Sequence, residues 1–159
     1  PEEPHFYGYL TGLELLRFAG QLFSKSYDLS DKDYVEILKT VGLDDVGDKR
    51  INYYSKGMRQ RLGFAQAIVN DPDYLFIDEP LEGLDPIGRR ELKIMVRKLK
   101  NAGKTIFMNS HILSDIEELC DSIGIINLGR LVYAGSVSDF CQGRNLEDRF
   151  VEEIEKINK

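Results

Sequence analysis

The sequence has few of the residues that build disulfide frameworks and metal sites. Only two cysteines, Cys120 and Cys141, and two histidines, His5 and His111, occur among its 159 residues. Two isolated cysteines form neither a disulfide framework nor a C-x-x-C metal motif, so we expect reduced thiols with no disulfide partner. The histidines are too few and too far apart in the sequence for a histidine-rich metal site.

Long apolar runs and an excess of basic residues are also lacking. No run approaches the roughly 18–20 apolar residues of a membrane span, and the N-terminal sequence PEEPHFYGYL has no signal-peptide pattern. The chain has 21 Lys and Arg against 27 Asp and Glu, a formal net charge of −6. Because binding to a phosphate backbone needs a basic surface, no nucleic-acid partner is expected. An apolar content of 42% with 30% charged residues indicates a globular protein.

The first half of the sequence predicts three capped helices. Thr11 and Glu14 have capping-box spacing, Ser30 begins a second helix that runs to Val41, and Ser55 begins a third. Apolar residues follow each cap at helical spacing. The predicted inward-facing residues are Leu15, Leu16, Ala19, Leu22, Phe23, Tyr34, Val35, Leu38, Val41, Met58, Leu62, Ala65, Ile68 and Val69.

The second half predicts strands that alternate with helices. The continuous apolar runs at 74–77 and 105–108 are typical of strands buried on both faces, and a third strand is predicted at 123–127. Asp85 and Pro86 begin the helix between the first two strands. This alternation predicts an α/β unit with right-handed crossovers. A turn at 127–130 then leads into a hairpin, and an amphipathic helix follows at 146–157.

Polar residues stand where two of these strands end. Asp78 and Glu79 follow the first strand, and His111 follows the second within the sequence Asn109-Ser110-His111. Ligands of open α/β sheets bind at the carboxyl ends of strands. Paired carboxylates suit Mg²⁺ and the activation of water. The alternative is a pair of solvated acids that open a turn and a histidine that is satisfied by backbone groups.

A possible phosphate-binding segment lies upstream, in the sequence YSKGMRQR at 54–61. Its serine and glycine open a helix, and helix N-termini bind phosphate through free N–H groups and the helix dipole. The alternative is an ordinary N-cap serine. Arg59 and Arg61 are expected to be structural or solvated rather than phosphate ligands.

Taken in order and spacing, these segments resemble the ATP-binding subunits of ABC transporters. The segment at 54–61 is similar to the family's signature motif, YLFIDEP at 74–80 to its Walker B strand, and EGLDP at 82–86 to its D-loop. NSHIL at 109–113 is similar to its switch-histidine segment. In the signature, Tyr54, Lys56 and Met58 replace the usual residues at the first, third and fifth positions, as in variants within the family.

The resemblance implies a role for each matching residue. Asp78 would hold Mg²⁺ through water, Glu79 would be the general base, and His111 would contact the γ-phosphate of ATP. Ser55 and Gly57 would contact ATP that is bound to a partner subunit, and Asp85 would lie across the dimer interface. Glu2 or Glu3 stands at the Q-loop position, where the family has a glutamine that contacts Mg²⁺.

One motif of the family does not occur in the sequence. ATP-binding loops of this kind read G-x-x-x-x-G-K-[ST]. Gly103-Lys104-Thr105 supplies the end of the motif, but Lys98 stands where its first glycine would be. Gly103 is better explained as the end of a helix. Because the family's loop lies before the Q-loop, we expect the chain to be a C-terminal piece of a longer ATPase domain.

The resemblance predicts an α/β fold: part of a P-loop NTPase core, with a parallel sheet flanked by helices, plus an α-helical signature subdomain. We expect the helical subdomain at about 1–72, the core at 73–135 and C-terminal helices at 136–159. The implied protein is a dimeric ATPase, either a homodimer or paired with a related ATPase subunit. It would use ATP and Mg²⁺ and bind a transmembrane permease at the cytoplasmic face of the membrane. Two alternatives stay open: an ABC-type ATPase of DNA repair or translation, and a docking module without activity.

Overall fold

The computed structural model describes residues 4–22 and 29–157. Contacts divide the chain into two compact units, Pro1–Asn109 and Ser110–Lys159. Within the described ranges, every helix falls short of the length and apolar character that crossing a lipid bilayer requires.

The first unit opens with three helices. They are α1 (Gly12–Leu22), α2 (Asp31–Thr40) and α3 (Lys56–Ile68), and two short 3₁₀ turns at Asp44–Val46 and Ile51–Tyr53 lie between α2 and α3. Helix α1 contacts both α2 and α3. The three helices that the sequence predicted are therefore present, and they pack together as one bundle.

The predicted start of α1 is confirmed by its capping box. The Glu14 N–H donates to Thr11 Oγ1 at 3.1 Å, and Glu14 Oε2 accepts from the Thr11 N–H at 2.8 Å. At the start of α2, the Asp33 carboxylate accepts from the Ser30 N–H at 2.8 Å. Gly42, in the left-handed conformation with a φ of +66°, follows the end of α2. Local sequence signals therefore set the helix ends.

Most of the predicted apolar positions form the core of the bundle. Two of the predictions are wrong: Leu22 is 61% exposed and Val35 is 43% exposed. Leu22 is the last residue of α1, and Val35 lies beside the narrow buried stripe formed by Tyr34 and Leu38 on a helix of ten residues. Met58 and Ile68 are half-buried, and Phe23 lies outside the described residues.

The first unit ends in a strand–helix–strand segment. It consists of β1 (Tyr74–Asp78), α4 (Pro86–Asn101) and β2 (Thr105–Asn109). The two strands are parallel and in register from the pair Tyr74 and Thr105 to the pair Asp78 and Asn109. The predicted parallel sheet is therefore confirmed for these two strands.

The prediction that these strands are buried on both faces is wrong. Leu75 is buried, whereas Tyr74, Phe76 and Phe107 are 69%, 78% and 66% exposed. Successive side chains of a strand point to opposite faces. Because the described residues form a sheet of only two strands here, one of its faces is left with exposed aromatic rings.

The second unit is a hairpin with three helices. Helix α5 (Leu113–Leu119) precedes β3 (Ser122–Asn127) and β4 (Arg130–Ser136), and α6 (Val137–Cys141) and α7 (Leu146–Ile157) follow. The described residues of this unit include a cluster of buried side chains, formed by Ile125, Val137, Phe140, Cys141 and Leu146.

Strand β3 departs from the predicted strand–helix–strand–helix–strand series. It pairs antiparallel with β4 in a separate two-stranded sheet rather than as a third parallel strand. Leu128 and Gly129 both have positive φ, +48° and +76°, as a tight type I′ hairpin turn requires. Because of this turn, β3 pairs with β4, the next strand in the sequence. The predicted hairpin is confirmed, and the prediction that β3 joins the parallel sheet is wrong.

Candidate active site

Asp78 and Asn109 occupy the last pair of positions of the parallel strands β1 and β2. The Asn109 Nδ2 donates to Asp78 Oδ1 at 2.8 Å. Asp78 is exposed, so its carboxylate is oriented by a neighbouring strand and is open to solvent. The sequence predicted that Asp78 lies at this strand end, whereas the role of the Asn109 side chain was missed.

The backbone of Glu79 is held in an unusual conformation. Its φ is +44°, in the left-handed region that non-glycine residues rarely adopt. The Glu79 N–H donates to the Asn109 carbonyl at 2.9 Å, and the Glu79 carbonyl accepts from the Glu82 N–H at 3.2 Å. Such conformations cost roughly 1–3 kcal/mol and cluster at functional sites. The half-buried Glu79 side chain therefore leaves the strand in a direction that these bonds fix.

A glutamine of α3 also reaches this turn. Gln60 is 7% exposed, and its Nε2 donates to the Pro80 carbonyl at 2.8 Å and to the Glu79 carbonyl at 3.5 Å. Sequence reasoning did not assign Gln60 a role. The one feature of the sequence that indicates burial of Gln60 is its spacing of four residues from the apolar Phe64, which places both residues on the inner side of α3.

Ser55 forms the cap of α3 that the sequence predicted. Its Oγ accepts from the Met58 N–H at 3.2 Å, and Met58 Sδ accepts from the Ser55 N–H at 3.5 Å. The exposed Ser55 precedes the half-buried Gly57. A methyl group added to Gly57 would lie 3.5 Å from Leu84 Cδ2, an ordinary van der Waals distance. The fold itself therefore does not require a glycine at position 57.

Other residues of the segment at 54–61 support the fold. The Tyr54 hydroxyl donates to the Val46 carbonyl at 2.7 Å, and burial raises the pKa of the Tyr54 phenol. Arg59 Nη1 donates to the Tyr54 carbonyl at 2.6 Å. Arg61 Nη1 contacts Glu91 Oε2 at 3.2 Å and the carbonyl groups that follow α2. Both arginines therefore bond to other groups of the protein, which agrees with the structural role that was one of the two roles expected for them.

The segment from 82 to 86 joins β1 to α4. Asp85 Oδ1 accepts from the Gly88 N–H at 2.7 Å, so Asp85 caps α4 as predicted. Gly83 has a φ of +67°, and a Cβ added there would lie 2.6 Å from Lys56 Nζ. The Lys56 ammonium group therefore lies over Gly83, which brings the start of α3 next to this turn.

Gly103 ends a helix and does not belong to a phosphate-binding loop. It follows α4 with a φ of +84° and lies two residues before the first residue of β2. Lys104 Nζ contacts Asp71 Oδ1 at 2.8 Å and Asp73 Oδ1 at 3.6 Å. The hydrogen bond to Asp71 and the nearby acidic charges raise the pKa of Lys104. Lys104, which precedes β2, thus bonds to two residues that precede β1. The expectation that Gly103 ends a helix is confirmed.

His111 is exposed and belongs to the second unit, two residues after the end of β2; its contact with a γ-phosphate stays a prediction. Glu2 and Glu3, one of which stands at the Q-loop position, lie outside the described residues.

A solved structure described as the ATP-binding subunit of an ABC transporter has the same fold. It superimposes with a TM-score of 0.86 at 30% sequence identity, over 97% of this chain and 66% of that chain. The chain therefore has the fold of an ABC transporter ATP-binding subunit, which is a P-loop NTPase fold.

Sequence comparisons give the same class. The family profile described as ABC transporter matches residues 4–82. An uncharacterized ABC transporter ATP-binding protein of Nostoc sp. is 47% identical over 146 residues, 91% of this chain and 44% of that protein. A fluoroquinolones export ATP-binding protein of Mycobacterium tuberculosis is 41% identical over 144 residues, 91% of this chain and 46% of that protein. The chain therefore belongs to the ABC transporter family, and it spans less than half the length of these two relatives.

Proposed function

We propose that this chain is part of a subunit that binds and hydrolyses ATP and thereby drives a substrate across a membrane. One observation carries the proposal: Asp78 and Glu79 leave the carboxyl end of β1, where Asn109 of the parallel neighbour bonds to both of them. Parallel sheets bind their ligands at this end. The named transport role of the mycobacterial relative supports the same class of activity.

The donor set at this strand end suits Mg²⁺. Carboxylate and amide oxygens are hard ligands, and Mg²⁺ takes one or two carboxylates together with waters and substrate phosphates. Asp78 would hold the ion through water, with its carboxylate oriented by the Asn109 amide. When bound, Mg²⁺ neutralises charge that develops on the phosphate oxygens.

Glu79 is the proposed general base for hydrolysis. Its carboxylate takes a proton from water while the water oxygen bonds to the γ-phosphorus. The bond between that phosphorus and the bridging oxygen breaks, and the electron pair leaves with ADP. His111 would bind a γ-phosphate oxygen during this step. The backbone bonds of Glu79 keep its carboxylate in a fixed direction, so little reorganisation is needed.

A second group of residues is proposed to act on ATP that is bound to a partner subunit. Ser55 and Gly57 lie at the start of the 13-residue helix α3, where N–H groups and the helix dipole favour an anion. Asp85 would lie across the interface between the two subunits. The active assembly is thus a dimer, formed with a second copy or a related ATPase subunit, and a transmembrane permease holds it at the cytoplasmic face of the membrane.

The proposal is tested by the ATPase rate of the full-length gene product that contains this sequence. Glu79→Gln should lower the rate by roughly 10²–10⁴-fold, because it removes the proton acceptor, and MgATP binding should persist. Asp73→Asn is the matched control, since Asp73 is an exposed carboxylate just before the opposite end of β1. A Glu79→Gln variant that hydrolyses ATP at the wild-type rate contradicts the proposal.

The 159-residue chain by itself is proposed to bind MgATP poorly and to hydrolyse it negligibly. Its sequence contains the residues assigned to the metal, to the attacking water and to a partner's ATP, but no G-x-x-x-x-G-K-[ST] motif to surround the phosphates. Isothermal titration of this chain with MgATP tests the proposal, and micromolar affinity would refute it.

A further inference from the structure

Gln60 is a buried polar side chain outside the set of residues assigned to the metal, the attacking water and ATP. It lies on α3, five residues after the capping Ser55, and its Nε2 donates to the Pro80 carbonyl at 2.8 Å and to the Glu79 carbonyl at 3.5 Å. These acceptors are 19 and 20 residues away along the chain. The amide therefore forms a direct link between the start of α3 and the turn after β1.

The other end of this amide has an unusual environment. Gln60 Oε1 is fully buried and has no hydrogen-bond partner among the described residues. A flipped amide would place this oxygen against the Pro80 carbonyl, so the bond made by Nε2 fixes the orientation. An unsatisfied buried acceptor costs free energy, whereas an apolar side chain of the same length would avoid that cost. The link to the turn thus explains an amide here better than packing does.

The turn that Gln60 contacts carries the strained residue of the site. Glu79 has a φ of +44°, and such a conformation persists only where surrounding contacts determine it. The Asn109 carbonyl holds its N–H from the sheet side. Gln60 holds its carbonyl, and the next one along the chain, from the side of α3. The direction of the Glu79 side chain thus depends on both groups.

We infer that Gln60 is a positioning residue for Glu79 and connects the signature helix to the proposed general base. The inference rests on the proposed function, since it assumes that Glu79 activates water. Ser55, the cap of α3, and Gly57, its second residue, are the residues proposed to contact a partner's ATP. A phosphate bound at the start of α3 would therefore contact the same helix whose Gln60 side chain bonds to the turn at Glu79.

The test compares Gln60→Met, which keeps the length and volume of the side chain but removes the donor, with Gln66→Met in the full-length gene product. Gln66 is an exposed residue of the same helix. Gln60→Met should lower kcat by roughly 10- to 100-fold, as a small misplacement of a reacting group does, while the Kd for MgATP changes less than about twofold. Hydrogen exchange of the Glu82 amide, which donates to the Glu79 carbonyl, should become faster. Gln66→Met should leave kcat, Kd and exchange unchanged.

Two results overturn the inference. One is a Gln60→Met protein with a lower Tm but wild-type kcat per folded molecule, which assigns Gln60 to stability alone. The other is an equal fall in kcat when Gln60→Met is added to the Glu79→Gln background, because a positioning residue has no effect once the group it positions is gone. A Glu79→Gln variant with full activity would instead refute the proposed function, so the two failures are distinguishable.

Discussion

Two substitutions of Asp85 separate its role in capping α4 from its proposed role at the interface between two subunits. Its carboxylate accepts from the Gly88 N–H at 2.7 Å at the start of α4, and the same carboxylate is proposed to lie across the interface between two subunits. Asp85→Asn keeps an N-cap acceptor but removes the charge. Asp85→Ala removes both.

The expected losses of stability follow from this geometry. Replacement of an N-cap residue by alanine costs about 1 kcal/mol within a range of 0.5–2. A negative charge in the first turn of a helix contributes roughly 0.3–1 kcal/mol through the helix dipole. Asp85→Ala should therefore lower the free energy of unfolding by about 1.5 kcal/mol, and Asp85→Asn by about 0.5 kcal/mol.

Urea denaturation of the 159-residue chain measures these differences. Thermal denaturation should show Asp85→Ala about 3–6 °C below wild type, since each kcal/mol shifts the Tm by roughly 2–4 °C in a chain of this length. An unchanged midpoint for Asp85→Ala would refute the capping argument. In the full-length gene product, Asp85→Asn should reduce ATP hydrolysis far more than its small loss of stability explains. A normal rate for Asp85→Asn would refute the role across the interface.

Three further predictions test other parts of the structure. Gly57→Ala should keep the free energy of unfolding, because the fold has room for the methyl group, yet lower the ATPase rate of the full-length protein; a loss of stability in urea would contradict this. Leu16→Ala should cost roughly 2–5 kcal/mol in urea denaturation, because Leu16 is 0% exposed, whereas the exposed Leu22→Ala should change little. Hydrogen bonds from Arg144 and from a second arginine lower the pKa of Glu152 to about 2, against 4.5 for a free glutamate. Their contribution to stability is complete above pH 4.5 and is lost as the pH falls towards 2, so the difference in Tm between wild type and Glu152→Gln should shrink over that range.

Helix and turn boundaries could be predicted from the sequence because their signals are local. The capping box of Thr11 and Glu14, the caps at Ser55 and Asp85, and the hairpin turn that contains Gly129 all depend on residues within a few positions of one another. Side-chain bonds to nearby backbone groups decide these features. Distant parts of the chain have little influence on them.

Burial was harder to predict because it depends on what packs against an element. The apolar run at Tyr74–Ile77 indicated a strand covered on both faces, yet Tyr74 and Phe76 are exposed. The apolar pattern of one strand does not determine how many strands its sheet contains. The pairing of β3 was hard to predict for the same reason. Its apolar pattern suits a parallel sheet as well as the hairpin that it forms with β4.

The candidate site could be predicted in part. Parallel register brings Asp78 and Asn109 to one edge, so the position of the acid pair at a strand end followed from the sequence. The left-handed backbone of Glu79 and its link to Gln60 could not be foreseen. Both depend on how α3 packs against a turn that is 19 residues further along the chain, which no short-range pattern encodes.

A crystal structure of the full-length gene product with Glu79→Gln and bound MgATP tests the central claim most directly. The account predicts that Asp78 faces the metal through water and that residue 79 and His111 converge on the γ-phosphate. Ser55 and Gly57 should face the ATP bound by the second subunit. A structure in which the γ-phosphate lies away from the end of β1, or in which His111 and residue 79 point to different places, would contradict the account.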